Sequence, residues 1–390
     1  MSPLSLLSRL SRRGRGRPAR TVARVRELFV PAQSAGSAGS SVSRPRSSKR
    51  PAPRTLPRTL PRSLPRSLPH RRRPSRSAAV TRPGRWLRDV HVGAAGRRVF
   101  DVYVPAVRRR GRMPVVVLLH GCLQTADEFA HASRFPQVAD RNGVLLVVPH
   151  QEPCHQARRC WRWYEAAHQQ RDAGEPGILA GIVAQVLDER ERWRADPARV
   201  YAAGISAGGA MALILAAAYP DVFAAVGVHS APPYRAATRL TEALGAMAGR
   251  GSAPRPAAGE RMAPVVCLQG TEDTVVRPAN GDQVVEQWLA HRAAADHGAT
   301  RTVRSRRVRG RSSDGTRYTV RRWYAARGRV SLEYWSVQGL GHAWSGGQPG
   351  GSFADPRGPR AATVMWQFFR RHRLAARPRR ASAVREALTA

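Results

Sequence analysis

Lysine is almost missing from this 390-residue chain: Lys49 is the only one, and arginine supplies the rest of the 66 basic residues set against 26 acidic ones. A bias so uniform reads as base composition of the gene rather than a surface built for one partner. Acid is scarcest at the start, where residues 1–80 hold 20 basic residues and one acid, Glu27, so 19 of the 40 net positive charges sit there. Long apolar runs are lacking too. No stretch approaches 18 apolar residues, and Leu213 to Val228 is broken by Pro220 and Asp221, which argues against a membrane-spanning helix. Met1 to Leu10 has no continuous apolar core for a secretory signal, and Arg12 and Arg13 follow too soon. Residues 1–30 fit a transit peptide, a plain basic tail or a start codon assigned too early. Zinc-finger, RNA-recognition and helix-turn-helix patterns are absent, so no specific nucleic acid is expected as a partner. The tail alone could still hold nucleic acid or an anionic surface non-specifically. That leaves a basic, non-catalytic binding protein as the rival reading of the chain.

Residues 54–69 repeat Arg-Thr/Ser-Leu-Pro, with a proline at every fourth position. Proline at that spacing forbids a continuous helix, and the arginine density repels a compact state. Residues 1–80 are therefore expected to be a disordered basic region, 86–374 one folded domain, and 375–390 a basic C-terminal tail. Within the domain, apolar runs at Met113–Leu119, Val144–Pro149, Val200–Ala203, Ala224–His229, Pro264–Leu268 and Val330–Val337 read as strands. Helical spacing falls between them, at Ala126–Asn142, Gly177–Arg192, Ala207–Tyr219, Arg239–Met247, Asn280–Ala294 and Pro359–His372. Alternation of this kind predicts an α/β fold, a mostly parallel sheet with helices on both faces. Arg301 to Arg327 holds ten arginines and one acid, and reads as an exposed hairpin turning at Ser312–Gly315.

The chemistry concentrates in Gly204-Ile205-Ser206-Ala207-Gly208, set between a predicted strand and an Ala-rich helix. That context turns a Gly-x-Ser-x-Gly match into an exposed nucleophile on a sharp turn. A serine hydroxyl needs an imidazole to take its proton and a carboxylate to hold that imidazole. Asp273 follows the strand Val265–Leu268, with Glu272 its neighbouring alternative, and the apolar residues after Asp273 favour it. His342 follows the last strand; His120, His150 and His155 are rivals, but all precede the acid in the chain. The oxyanion donors are expected at the Ala207 amide and at the Cys122 and Leu123 amides of the early loop. Trp161, Trp163 and Trp344 could form an aromatic wall of the substrate pocket or simply pack the loops. The four cysteines match no zinc spacing, so no metal or organic cofactor is implied. Cys122 and Cys160 flank the site and could bridge, with Cys154 an alternative partner for either; Cys267 lies in a predicted strand.

The ordered set Leu119-His120-Gly121-Cys122-Leu123-Gln124, Cys160-Trp161-Arg162-Trp163-Tyr164, Gly174-Glu175-Pro176, Gly204–Met211, Gly270–Val276 and Gly341–Gly347 resembles the polyhydroxybutyrate (PHB) depolymerase-type esterases of the α/β-hydrolase superfamily. Feruloyl and acetyl-xylan esterases are relatives within that group. The resemblance covers about residues 90 to 373. It implies a serine esterase with Ser206 as nucleophile, Asp273 as acid and His342 as base, acting on a small or polymeric ester. It also implies a Cys122–Cys160 disulfide and an extracellular location, with a cytoplasmic one as alternative. Arg162 stands where many members carry asparagine. Composition and resemblance together predict that a chain starting near Arg82 keeps its circular-dichroism spectrum and its hydrolysis of a small ester. Loss of folding on removal of residues 1–80 would contradict that boundary.

Overall fold

Seven consecutive apolar residues at Met113–Leu119 have no wet face to offer, and they lie at the centre of a ten-stranded sheet covered on both sides. This computed structural model describes residues 83–375 apart from 108–109, 252–253, 255, 258, 296–302 and 326–327. The readings of residues 1–80 and of the tail past 375 lie outside the described residues. The strands are β1 (Arg85–Gly93), β2 (Gly96–Val104), β3 (Met113–Leu119), β4 (Leu145–Pro149), β5 (Ala195–Ile205), β6 (Ala225–His229), β7 (Val265–Gly270), β8 (Ser305–Arg311), β9 (Arg317–Tyr324) and β10 (Val330–Val337). Their spatial order is β1-β2-β4-β3-β5-β6-β7-β10-β9-β8. From β4 to β10 all neighbours run parallel, whereas β1 and β2 at one margin and β9 and β8 at the other are antiparallel.

Each inner strand alternates between two apolar cores, as a period of two requires. In β5, Val200 and Ala202 join the core beneath α3 (Gly174–Asp188) and α5 (Ala207–Ala218). Tyr201, Ala203 and Ile205 join the opposite core, with α1 (Ala126–Ser133), α2 (Phe135–Asn142) and the C-terminal helix Ala361–Phe369. No helix among the described residues is long and apolar enough to cross a membrane.

Several boundaries differ from the sequence expectation, each for a local reason. The single helix expected over Ala126–Asn142 is two, separated at Arg134, which sits at φ 61°. Pro136 explains the break, since in a continuous helix it would have no N–H for the Ala132 carbonyl and its ring would crowd that carbonyl, whereas in the first turn of a new helix neither is a cost. The second of these helices ends at Gly143 in the left-handed conformation. The helix expected to reach Arg192 stops at Asp188, and a separate turn, α4 (Arg190–Trp193), follows. There Glu189 accepts from the Trp193 indole at 2.8 Å and from Arg192 at 2.9 Å. Strand β1 went unread because its half-wet sequence, RWLRDVHVG, alternates too weakly to register. The arginine-rich hairpin is β8 and β9, hydrogen-bonded to the sheet through β10, with the predicted turn closed by Gly315 N–H to Ser312 O at 2.9 Å.

Glycine is obligatory where β5 meets α5. A Cβ on Gly208 would overlap the Leu119 carbonyl of β3, and one on Gly204 would overlap the Gly208 backbone. Backbone cannot yield as a side chain can, so Gly208→Ala should lower stability by about 1–3 kcal/mol or more. Gly245→Ala, in α6 (Leu240–Gly245), is the control, because an added Cβ there meets nothing within 4 Å. The midpoint of urea unfolding should fall for the first variant and hold or rise slightly for the second.

Candidate functional site

The chain leaves β5 through Ser206 and enters α5 at Ala207, with Ser206 held at φ 55°, ψ −122°. Such a conformation costs a non-glycine residue about 1–3 kcal/mol and persists only where its surroundings enforce it. The enforcement is visible. The Ser206 N–H is held by the His229 carbonyl at 2.9 Å, while its own carbonyl accepts the Ala210 N–H, also at 2.9 Å. The serine side chain is left at the carboxyl edge of the sheet, partly exposed, at the positive end of a twelve-residue helix.

Asp273 and His342 leave β7 and β10, two parallel neighbours, at that same edge. His342 Nδ1 lies 2.9 Å from Asp273 Oδ2, with the carboxylate fully buried and the imidazole one-tenth exposed. The other carboxylate oxygen accepts the Val275 and Val276 N–H groups at 3.0 and 2.8 Å. Gln269 Nε2 donates to Oδ2 at 3.3 Å. Burial works to raise the Asp273 pKa, but the charge and hydrogen bond of His342, the Val276 amide and the Ser230 hydroxyl together hold it below the ordinary carboxylate value. Glu272, the neighbouring alternative, is exposed, and its backbone N–H is held by Leu340 O at 3.0 Å.

Two supporting residues escaped the sequence reading. Ser230, at φ 50°, touches His229 Nδ1 at 3.1 Å and also reaches Asp273. His229 is wholly buried, and burial lowers its pKa to about 3, so it stays neutral and accepts the Ser345 N–H at 3.2 Å. His229 thus joins the Ser206 turn to the segment after His342. The only sequence signal was position: His229 ends β6 and Ser230 follows it, between the strands that lead to Ser206 and Asp273.

The early loop is fixed at several points. Gln124 accepts the Gly121 N–H at 2.9 Å and donates to Ser352 O at 2.9 Å. Leu123, expected as an oxyanion donor, gives its N–H to the Arg158 carbonyl at 2.8 Å and so is committed elsewhere. Cys122 is bonded to Cys160, which ties this loop to the Cys160–Tyr164 segment. Beneath that segment, Gln151 donates to the Cys160 carbonyl and to Glu175, and Glu175 also accepts the Arg162 N–H at 2.7 Å. Burial pushes the Glu175 pKa up and that of its neighbour Arg98 down. Cys154 is an exposed free thiol and Cys267 a buried one.

The three tryptophans do not form an exposed pocket wall. Trp161, Trp163 and Trp344 are 0%, 3% and 1% exposed. Trp161 donates to His120 O at 3.1 Å and Trp344 to Ser133 O at 3.1 Å, while Trp163 packs edge-on against Tyr164. Their size and the apolar loops around them explain the outcome, since rings of this area are worth most when buried with the indole N–H satisfied. The rival histidines have other surroundings. His120 is buried, its pKa lowered to about 4 by that burial, and it accepts the Gln151 N–H. His150 pairs with Asp101 at 2.6 Å. His155 lies in a loop where Glu152, Cys154 and His155 each bring one metal-competent atom within 4.8 Å of the others. Arg162 turns away to the His155 carbonyl at 2.8 Å.

Residues 99–310 match the family described as Esterase PHB depolymerase. The chain is 31% identical over 242 residues to poly(3-hydroxyalkanoate) depolymerase C of Paucimonas lemoignei, covering 59% of this chain and 54% of that protein. It is 28% identical over 304 residues to poly(3-hydroxybutyrate) depolymerase of Ralstonia pickettii, covering 70% of this chain and 58% of that one. The chain therefore spans little more than half the length of these relatives. Among solved structures, an acetyl xylan esterase from Aspergillus awamori superposes with TM-score 0.57 at 19% identity, over 74% of this chain and 100% of the other, which shows a shared fold.

Reduction of the Cys122–Cys160 bond, which spans 38 positions, should lower the unfolding free energy by about 3–4 kcal/mol. Urea titration with and without reductant measures this. Non-reducing peptide mapping should recover Cys122 with Cys160 and leave Cys154 as a thiol.

Proposed function

Since the chain belongs to the esterase PHB depolymerase family, we propose that it is a serine carboxylic-ester hydrolase, acting through an acyl-enzyme on short-chain, polyester or polysaccharide-linked esters. The observation that carries this reading is the 2.9 Å contact of His342 Nδ1 with the buried Asp273, at the sheet edge where Ser206 occupies its strained turn. The contact assigns the ring proton to Nδ1 and leaves Nε2 as the base. His342 takes the Ser206 proton as Oγ attacks the ester carbonyl, then gives it to the departing alcohol. It next activates the water that releases the acyl group as a carboxylic acid and restores the serine. Asp273 holds the imidazole in one tautomer and stabilises its charged form. The tetrahedral oxyanion is received by the Ala207 N–H, at the start of α5, and by the Cys122 N–H, since that of Leu123 is already donated. The disulfide beside the oxyanion loop, together with the family, supports work in an oxidising, extracellular setting.

Ser206→Ala should cut turnover of 4-nitrophenyl acetate by several orders of magnitude, leaving roughly the 10³–10⁴-fold advantage over water that binding and oxyanion stabilisation supply. Asp273→Asn should lower kcat by about 10⁴-fold while the fold persists. Wild-type turnover in purified Ser206→Ala would refute the assignment. Methyl ferulate, acetylated xylan and polyhydroxybutyrate assayed side by side identify the acyl group.

A further inference from the structure

Single exposed apolar side chains are ordinary on a folded protein, and Trp86, Val90 and Val92 along the margin strand β1 need no other account. Leu123 and Phe353 are different. Each is 42% exposed, and each is held at positive φ, 66° for Leu123 and 47° for Phe353. Nine non-glycine residues among those described take such a conformation, and only these two of the nine are apolar. Hydrogen bonds explain the backbone: the Leu123 N–H is held by Arg158 O at 2.8 Å, and the Phe353 carbonyl accepts the Trp344 N–H at 2.7 Å. They do not explain the residues. Glycine or asparagine would keep both bonds with less strain. The two side chains thus cost the fold twice, in conformation and in apolar surface left in water.

Both stand beside the reacting groups. The Phe353 ring lies edge-on to the His342 imidazole, with centroids 6.5 Å apart. Leu123 directly follows Cys122 on the early loop. That loop abuts the Ser206 turn, since a Cβ on Gly121 would meet the Ile205 side chain at 3.4 Å. Gln124 fastens the two segments to each other by donating to Ser352 O at 2.9 Å. One side chain therefore sits next to the oxyanion donor proposed above, and the other next to the proposed base.

We propose that Leu123 and Phe353 form an apolar clasp that holds a hydrocarbon chain of the ester substrate beside the scissile bond. The inference deepens the esterase reading above and rests on it, because the chain is held where the reacting groups converge. Neither side chain can hydrogen-bond a sugar hydroxyl, whereas each methylene of a substrate placed against them leaves water favourably. The pair thus favours esters with an extended hydrocarbon part over acetyl groups on a polysaccharide.

Asparagine tolerates positive φ, so the Leu123→Asn/Phe353→Asn double variant should hold or raise the midpoint of urea unfolding while losing the clasp. In the unsubstituted chain kcat/KM should rise about tenfold from 4-nitrophenyl acetate to 4-nitrophenyl hexanoate, and the asparagine variant should lose most of that ratio. Leu123→Met/Phe353→Leu should keep it. Methyl and butyl acetate lengthen the alcohol instead, and a gain there that the asparagine variant loses places the chain on that side of the ester bond. Calorimetry on Ser206→Ala should detect methyl hexanoate binding that the two asparagines remove. If no ester is hydrolysed, the esterase reading fails while this binding still decides the clasp. A lowered urea midpoint in the asparagine variant would make the two side chains supports of the fold and overturn the proposal. So would a length preference missing from both ester series, or one that survives the substitutions, or methyl hexanoate binding that survives them.

Discussion

The close approach of three backbones at the end of β5 is the constraint on which the rest depends. Gly208 lies against the Leu119 carbonyl of β3, Gly204 lies against Gly208, and Ser206 between them is held at φ 55°. A side chain at either glycine would push helix α5 off the sheet. The serine would then relax out of its strained conformation and lose its place at the edge. The same contact sets where the early loop begins, since His120 follows Leu119 directly. One steric condition thus locates both Ser206 and the chain that carries Cys122.

Around that turn the polar groups are arranged so that charge is present in only a few places. Asp273 is buried yet kept ionised by two backbone amides, Gln269 and His342. His229, buried like Asp273, is kept neutral by that burial and serves as a hydrogen-bonding strut. The contrast is one of partners rather than depth. A carboxylate surrounded by donors keeps its charge, whereas an imidazole with one hydroxyl and one amide for company does not gain one.

Cross-linking and buried polar contacts hold the outer loops against the apolar core. The Cys122–Cys160 bond, Gln124 spanning Gly121 and Ser352, and Gln151 spanning Cys160 and Glu175 each fasten irregular chain to the sheet. Loops fastened this way can present backbone amides in a set direction, which oxyanion stabilisation needs. Trp161 and Trp344 belong to the same system, plugging the space beneath the loops instead of facing a substrate.

The sequence by itself determined the alternation of strands and helices, the Gly-x-Ser-x-Gly turn and the order of Ser206, Asp273 and His342, because apolar period, glycine and loop position are local properties. It also confined the basic hairpin to Arg301–Arg327 and its turn to Ser312–Gly315. It did not reveal β1, whose alternation is half-wet, nor the break at Arg134, because the helical spacing of the apolar residues runs on across it. Only the tertiary structure showed the pairing of His150 with Asp101 and the 2.9 Å distance at which His342 meets Asp273, since both pairs join residues far apart in the chain. It alone showed that the Leu123 amide is taken by Arg158, that the tryptophans are buried, and that Ser230 and His229 stand behind the acid. Such facts depend on distances between segments folded from opposite ends of the domain, and no local pattern encodes them.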